Sequence, residues 1–237
     1  MELLTPNASF MKRLRRYAKK TVTREQIAEM QAQDEQRFAQ EIAERQHHLK
    51  MEAMIGRSAI LPAYLECSIN NYVVTCEGQQ QVRQMAINYI QSFDDCPKNF
   101  IFSGSTGTGK NHIASAIALE LIRRGHSVVL ISVPELMMQL RACYDKKSTQ
   151  TERGFLDGLI SLDLLIIDEV GVMRGTSNEH INLNHLVDAR QANLKPTGML
   201  TNLSLTEFRD VMGERISDRM RTGILQRFNW DSYRQGS

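Results

Sequence analysis

The sequence predicts an α/β fold, a parallel sheet covered by helices on both faces, and three observations lead to it. Short, almost wholly apolar runs alternate with segments of helical periodicity from residue 100 onward, as in parallel strands that are buried on both faces. A glycine-rich turn follows the first of these runs. A later run ends in the carboxylates Asp168 and Glu169, at the edge where open α/β sheets bind ligands.

The individual elements follow from apolar runs, which indicate strands, and from apolar residues three or four positions apart, which indicate helices. The runs predict strands at 99–103, 127–133, 162–168 and 198–202. The helical pattern predicts helices at 79–93, 112–122, 135–144, 179–192, from about 204, and at 213–221. Pro134 supports the third of these helices, because proline is favoured in the first helical turn.

The segment before the predicted sheet has a different composition. From about Ser9 to Gly56 it is rich in Gln, Glu, Arg, Ala and Met, and it predicts one or two long helices with too little apolar surface to form a core. Such a segment is either a solvated spacer or an arm that buries its apolar stripe on a partner, and its length favours the arm. Seven basic and no acidic residues lie between Lys12 and Arg24. They indicate a surface that contacts nucleic acid or an acidic protein, and the alternative is a solvated helix face.

Length and composition limit the classes of protein to which this chain can belong. The 237 residues carry a formal net charge of +2, and they suffice for one large domain or for a domain plus an arm. The four cysteines lack C-x-x-C spacing, which indicates reduced thiols in packing positions. There is no signal-peptide pattern and no apolar run of the ~20 residues that span a bilayer. We therefore expect a soluble, cytoplasmic protein that contacts no membrane.

The glycine-rich turn predicts a phosphate-binding loop. It matches G-x-x-x-x-G-K-[ST] except at the last position, where Asn111 replaces the hydroxyl that ligates Mg²⁺. The glycines let successive backbone N–H groups point at phosphates, and the helix that follows adds its positive end. An ordinary strand-to-helix turn is the alternative. We expect ATP to contact Gly104, Ser105, Thr106, Gly107, Thr108, Gly109, Lys110, Asn111 and His112.

Polar side chains at two other strand ends predict the remaining chemistry. Asp168 is expected to hold Mg²⁺ together with Asn111, and Glu169 to activate the attacking water. A solvated strand end is the alternative for this carboxylate pair. Asn202 ends the strand at 198–202, where it either hydrogen-bonds the γ-phosphate or the attacking water, or forms an Asx turn into the next helix.

Arginines near the end of the chain are candidates for action on a neighbouring subunit. Arg215 and Arg219 are four residues apart, so they share a helix face, and an arginine there can neutralise charge on a neighbour's γ-phosphate. A surface network with Glu214 and Asp218 is the alternative. Arg234 lies close to the end of the chain and is expected to fold back onto the nucleotide.

Several motifs together resemble those of the DnaC-type replicative helicase loaders, which are AAA+ ATPases. They are the GKN ending of the loop, L-L-I-I-D-E-V-G, P-T-G-M-L-T-N, G-E-R-I-S-D-R-M-R and the final F-N-W-D-S-Y-R. The resemblance covers about residues 58–234. It implies that Asn202 is sensor 1, that Arg219 is an arginine finger with Arg215 beside it, and that Arg234 is sensor 2.

The expected organisation is an N-terminal helical, helicase-binding arm at 1–57 and an AAA+ ATPase domain at 58–237 with a parallel five-stranded sheet. Only residues from about Asp210 to Ser237 follow the helix after the sensor 1 strand. That length predicts a minimal or absent helical lid.

The resemblance also implies a function, in which the protein grips a hexameric DnaB-type replicative helicase and opens its ring. It then delivers the helicase onto single-stranded DNA and leaves after ATP hydrolysis, with six AAA+ domains assembling as a spiral. Ile69 and the segment 174–179 lack the aromatic residues of the family, so contact with bases depends more on basic residues. The alternatives are an IstB-type transposition-helper ATPase and a nucleotide-gated adaptor with negligible hydrolysis.

Overall fold

The computed structural model of the protein describes residues 33, 36–39, 42, 53–145, 148, 150–171 and 177–233. The chain divides into two compact units, residues 1–50 and residues 51–237. Most of the predicted arm, part of the segment 174–179, and Arg234 lie outside the described residues. The assignment of residues 1–57 as an arm therefore stays a prediction.

The second unit contains five parallel strands, so the predicted α/β class with a five-stranded sheet is confirmed. In chain order they are β1 (Phe100–Gly104), β2 (Val128–Ser132), β3 (Leu164–Asp168), β4 (Thr197–Thr201) and β5 (Ile224–Phe228). Their order across the sheet is β2-β3-β4-β1-β5, and every neighbouring pair is parallel. No apolar run predicted β5, which pairs with β1 so that Gly104 lies opposite Phe228.

Six helices accompany these strands, one before β1 and five in the connections between strands. They are α1 (Glu77–Gln91), α2 (Lys110–Arg123), α3 (Val133–Ala142), α4 (Glu152–Ser161), α5 (Ser177–Ala192) and α6 (Leu205–Arg221). A short 3₁₀ turn at Pro62–Tyr64 precedes α1, and residues 53–57 are helical. The sequence pattern did not predict α4. Helix α6 runs through both segments predicted after residue 204, and Gly213, with φ of 79°, breaks its regular geometry between them.

Alternate residues of the strands build two apolar cores, one on each face of the sheet. Phe100 and Phe102 of β1 pack with α1 and α2, whereas Ile101 packs with α3 to α6. Fully burying one such side chain contributes about 1.5–3 kcal/mol. Because both faces are covered, a ligand can reach the sheet only at its edges, and the polar strand ends lie at the carboxyl edge.

A buried arginine ties several elements together at the opposite, amino edge of the sheet. Arg190 of α5 is fully buried and donates to the carbonyl oxygens of Leu159 at 2.6 Å, Leu162 at 3.0 Å and Pro196 at 2.6 Å, and to Thr197 Oγ1 at 3.1 Å. Burial lowers its pKa to about 10, which still leaves the guanidinium charged at neutral pH. The end of α4, the helix α5 and the start of β4 are therefore held by one side chain.

The chain after β5 returns across the glycine-rich loop. We call residues 229–233 the C-terminal strap, and they contain no α-helix. The minimal or absent lid stays a prediction, because residues 234–237 lie outside the described residues. Within the ranges that the structure describes, no helix has the length and apolar character needed to cross a bilayer.

Candidate nucleotide-binding site

A cleft of about 620 Å³ lies at the carboxyl edge of the sheet. The strand order explains which residues meet there, because β4 lies between β1 and β3. Asn202 after β4 is consequently placed between the loop after β1 and the carboxylates after β3. The predicted site residues that line the cleft are Thr106, Gly107, Gly109, Lys110, Asn111, His112, Asp168, Glu169 and Asn202.

The ammonium group of Lys110 lies inside the curve of the loop. Its Nζ donates to Gly104 O at 2.6 Å, to Ser105 O at 2.8 Å and to Asn202 Oδ1 at 3.0 Å. Burial lowers the pKa of Lys110, and the Asp168 carboxylate opposes that shift. All three acceptors are neutral, whereas a phosphate oxygen carries negative charge and would therefore attract the ammonium group more strongly.

The backbone of the loop can form only with glycine at its tightest point. Gly109 has a φ of 92°, in the left-handed region that side chains avoid. A Cβ atom at this position would lie 2.9 Å from the ring of Tyr72 and 3.1 Å from the ring of Tyr233. Thr108 is buried, and its Oγ1 donates to Ser105 O at 2.8 Å, which closes the loop on itself.

The GKN ending places the amide of Asn111 against the carboxylate of Asp168, at the end of β3. Asn111 Nδ2 donates to Asp168 Oδ2 at 2.6 Å. A carboxylate only accepts hydrogen bonds, so the nitrogen of the amide must face it and the oxygen Oδ1 remains for another partner. A serine or threonine hydroxyl would donate to the carboxylate and ligate a metal through one atom, whereas Asn111 divides these tasks between two. The oxygen ligands that Mg²⁺ prefers are present, and the residues fit the ion.

Glu169 adopts an unusual backbone conformation at the mouth of the cleft. Its φ is 57°, which costs a non-glycine residue about 1–3 kcal/mol. The next residue, Val170, is fixed on both sides, because its N–H donates to Leu200 O at 3.0 Å and its carbonyl accepts from Thr201 Oγ1 at 2.5 Å. The strained turn leaves Glu169 exposed on the lining of the cleft, where a carboxylate can contact water.

Aromatic and apolar side chains that the sequence did not indicate complete the wall. They come from the segment before α1 and from the strap, and comprise Leu61, Tyr64, Tyr72, Val73 and Tyr233. His112 joins them, with Nε2 3.0 Å from Ser68 O and its ring centroid 5.5 Å from that of Tyr72. The available signals were the apolar run after Asn71, in a segment without regular periodicity, and the F-N-W-D-S-Y-R motif, which contains Tyr233. Flat rings beside a phosphate loop suit a nucleotide base.

The arginines of α6 do not reach this cleft. Arg219 forms an ion pair with Asp188 of α5, and its carbonyl oxygen accepts from Asn99 Nδ2 at 3.3 Å, close to the amino edge of the sheet. Arg215 is exposed. Glu214, one of the alternative surface partners, pairs with Arg209 at 2.8 Å. A nucleotide contacted by Arg219 would thus belong to another subunit, and Arg234 lies outside the residues that the structure describes.

This fold and this cleft define the class of the protein, a P-loop nucleotide-binding protein of the AAA+ type. A family model described as IstB-like ATP binding protein matches residues 10–233. The chain is also 44% identical over 188 residues to the replicative helicase loader DnaC of Escherichia coli strain K12, which covers 78% of this chain and 76% of that relative. The protein therefore belongs to the family of IstB-like ATP-binding proteins that includes the DnaC replicative helicase loaders.

Two further similarities extend the comparison. An uncharacterised protein of Escherichia coli strain K12, YdaV, is 38% identical over 231 residues, which is 94% of this chain and 92% of the relative. A crystal structure of a DnaC helicase loader superposes with a TM-score of 0.62 at 20% identity, covering 70% of this chain and 99% of that chain. The structural match supports the fold, and the sequence matches carry the family assignment.

Proposed function

We propose that the protein is an ATP-hydrolysing loader of a DnaB-type replicative helicase, which opens the hexameric ring and delivers it onto single-stranded DNA. The observation that carries this proposal is the 44% identity over 188 residues to a replicative helicase loader. Co-purification of the full chain with the replicative helicase of its host tests the proposal. Absence of a complex at micromolar concentrations of both proteins would overturn it.

The residues of the cleft have distinct roles in this proposal. The loop amides and Lys110 bind the phosphates, and Asn111 Oδ1 with Asp168 would hold Mg²⁺, which neutralises phosphate charge when it is bound. Glu169 accepts a proton from the attacking water, and Asn202 orients that water or the γ-phosphate. The hydrogen bond from Lys110 to Asn202 Oδ1 at 3.0 Å supports this grouping. Arg234 is proposed to contact the nucleotide as sensor 2.

The partner surfaces are proposed from the sequence. Residues 1–57 bind the helicase, and six AAA+ domains assemble on the ring, each supplying Arg219 to its neighbour. The family model begins at residue 10, so most of the proposed arm belongs to the matched region. Single-stranded DNA is the proposed nucleic-acid partner.

A transposition-helper ATPase is the second candidate, because the matching family model is described as IstB-like. The final F-N-W-D-S-Y-R and the identity to DnaC favour the loader. A nucleotide-gated adaptor with negligible hydrolysis is less well supported, because the contact between Asn111 and Asp168 leaves an amide oxygen for Mg²⁺. Binding to the host helicase supports the loader over the helper, and measurable ATP hydrolysis excludes the adaptor.

Glu169→Gln is expected to bind ATP as the wild type does and to hydrolyse it at least ~100-fold more slowly, because glutamine keeps the shape and loses the base. Steady-state hydrolysis and an ATP titration measure the two quantities. Glu120→Gln is the control, since Glu120 pairs with Arg123 at 3.1 Å on the surface of α2. Wild-type turnover by the Glu169 variant would exclude the proposed base.

Removal of residues 1–50 is expected to abolish helicase binding and to leave ATP affinity unchanged. The truncation stops at residue 50 because Met54 and Ile55 pack against the core and the carbonyl of Ser58 accepts from Leu130 N at 2.8 Å. A pull-down with the helicase and an ATP titration test the two expectations. A truncated protein that still captures the helicase would place the partner surface on the AAA+ unit.

A further inference from the structure

The C-terminal strap is bonded directly to the backbone of the phosphate-binding loop. Trp230 Nε1 donates to the carbonyl oxygen of Thr108 at 2.9 Å. The backbone N–H of Tyr233 donates to the carbonyl oxygen of Gly107 at 3.0 Å. Two consecutive carbonyl groups of the loop are therefore held on the side that faces the strap.

The geometry of the peptide bond links these contacts to phosphate binding. In a trans peptide the C=O of one residue and the N–H of the next point in opposite directions. With the carbonyls of Gly107 and Thr108 turned to the strap, the N–H groups of Thr108 and Gly109 point away from it, toward the inside of the loop. A phosphate loop needs its amides in that orientation.

We propose that the C-terminal strap is a positioning device for the phosphate-binding loop, in which Trp230 and Tyr233 fix the loop amides in the orientation that receives nucleotide phosphates. The inference rests on the proposed binding of ATP in this cleft. It assigns Trp230 and Tyr233 as positioning residues, since they act on the nucleotide through the loop backbone.

The strap is itself anchored on both sides of the loop. The ring of Trp230 lies against Gly78 of α1, where an added Cβ would be 3.2 Å from ring carbons, and 5.1 Å from the ring of Phe228 between centroids. Tyr233 Oη donates to Val73 O at 2.6 Å, and its ring meets that of Tyr72 edge-on. These contacts fix the strap independently of its two bonds to the loop, so it can act as a support.

The main test compares nucleotide affinities of Trp230→Phe and the wild type with a fluorescent ATP analogue. Phenylalanine keeps an aromatic ring against Gly78 and removes the donor to Thr108 O. We expect ~10-fold weaker binding of ATP and of ADP, because a loop carbonyl loses its partner and the next amide loses its orientation. A thermal unfolding scan without nucleotide should show that the variant is fully folded at the temperature of the titration. Unchanged affinity would overturn the proposal.

Two control variants distinguish a failure of the strap proposal from a failure of the proposed ATP site in the cleft. Tyr144→Phe removes a bond to Glu152 on the exposed surface and should leave ATP affinity unchanged. Lys110→Ala should lose ATP binding whether or not the strap positions the loop. If Lys110→Ala loses binding and Trp230→Phe does not, the strap proposal alone fails. If both bind as the wild type does, the nucleotide site itself is wrong.

A second pair of variants tests the other bond without depending on the tryptophan. Tyr233→Ala keeps the backbone N–H, whereas Tyr233→Pro removes it, and both lose the ring. We expect the proline variant to bind ATP ~10-fold more weakly than the alanine variant. Equal affinities would show that the bond to Gly107 O does not position the loop.

The wild-type protein offers a direct readout, because Trp230 is its single tryptophan. Binding of phosphates to the amide of Gly109 changes the polarity of the carbonyl in the same peptide, which accepts from the indole. Saturating ATP should therefore change the indole emission, with half-saturation at the dissociation constant, and adenosine should not. Emission that stays constant at saturating ATP would contradict the coupling.

Discussion

Replacement of Lys110 by alanine is expected to lower the affinity for ATP by at least ~100-fold while the protein stays folded. The ammonium group would exchange two neutral carbonyl acceptors, Gly104 O and Ser105 O, for phosphate oxygens. Two hydrogen bonds to charged groups are each worth about 1.5–3 kcal/mol, and ~3 kcal/mol corresponds to ~100-fold in affinity. An ATP titration measures the loss directly.

Lys98→Ala is the matched control for this substitution. Lys98 is an exposed lysine that precedes β1, at the edge of the sheet opposite the cleft, so its loss should not change ATP affinity. The carbonyls that Lys110 releases lie beside the open cleft, where water can satisfy them, and for that reason we expect no unfolding. An unchanged dissociation constant for Lys110→Ala would refute the phosphate-binding role of the loop.

Arg219→Ala is expected to reduce ATP hydrolysis ~10³-fold or more in the assembled state and to leave ATP affinity of the monomer unchanged. Arginine fingers contribute 10³–10⁵-fold in other nucleotide hydrolases. The side chain pairs with Asp188 and is absent from the lining of its own cleft, so an effect on hydrolysis must arise between subunits. Hydrolysis measured on the helicase complex and on the isolated protein distinguishes the two states.

Mixing two inactive variants gives the sharper form of this test. Arg219→Ala retains an intact ATP site, and Lys110→Ala retains an intact arginine, so a mixture should recover part of the activity. Arg209→Ala is the control, because Arg209 lies on the same helix in an exposed ion pair with Glu214. A mixture no more active than its components would indicate that Arg219 only pairs with Asp188 in its own subunit and does not act on a neighbour.

The sequence predicted most elements of the fold to within two residues at each end, because buried strands and amphipathic helices carry strong local patterns. It did not locate β5, an edge strand in which exposed Leu225 and Arg227 alternate with partly or fully buried residues, so no apolar run marks it. It also did not predict α4, whose interior contains Gly154 and Gly158, residues that weaken a helical pattern.

The residues of the site also fall into two groups, those that local sequence patterns identify and those that meet only when distant segments pack together. The loop, Asp168, Glu169 and Asn202 could be placed from the sequence, because each follows a strand whose carboxyl end reaches the same edge. The wall formed by Tyr72 and Tyr233 joins residues 161 positions apart around Gly109. The pairing of Arg219 with Asp188 depends on how α5 and α6 pack, which residue patterns do not specify.

The hydrogen bonds of Arg190 determine which amino-acid substitutions the amino edge of the sheet can accept in related chains. Four of its five hydrogen bonds go to main-chain carbonyls, those of Leu159, Ile160, Leu162 and Pro196, and every amino acid offers the same oxygen. Substitutions at the first three positions therefore leave the contacts of Arg190 intact as long as they fill the same space. Arg190 itself has no substitute, since lysine lacks the planar fork that reaches several carbonyls at once. The hydrogen bonds therefore require a particular side chain at position 190, whereas at positions 159, 160 and 162 only the packing restricts the choice of side chain.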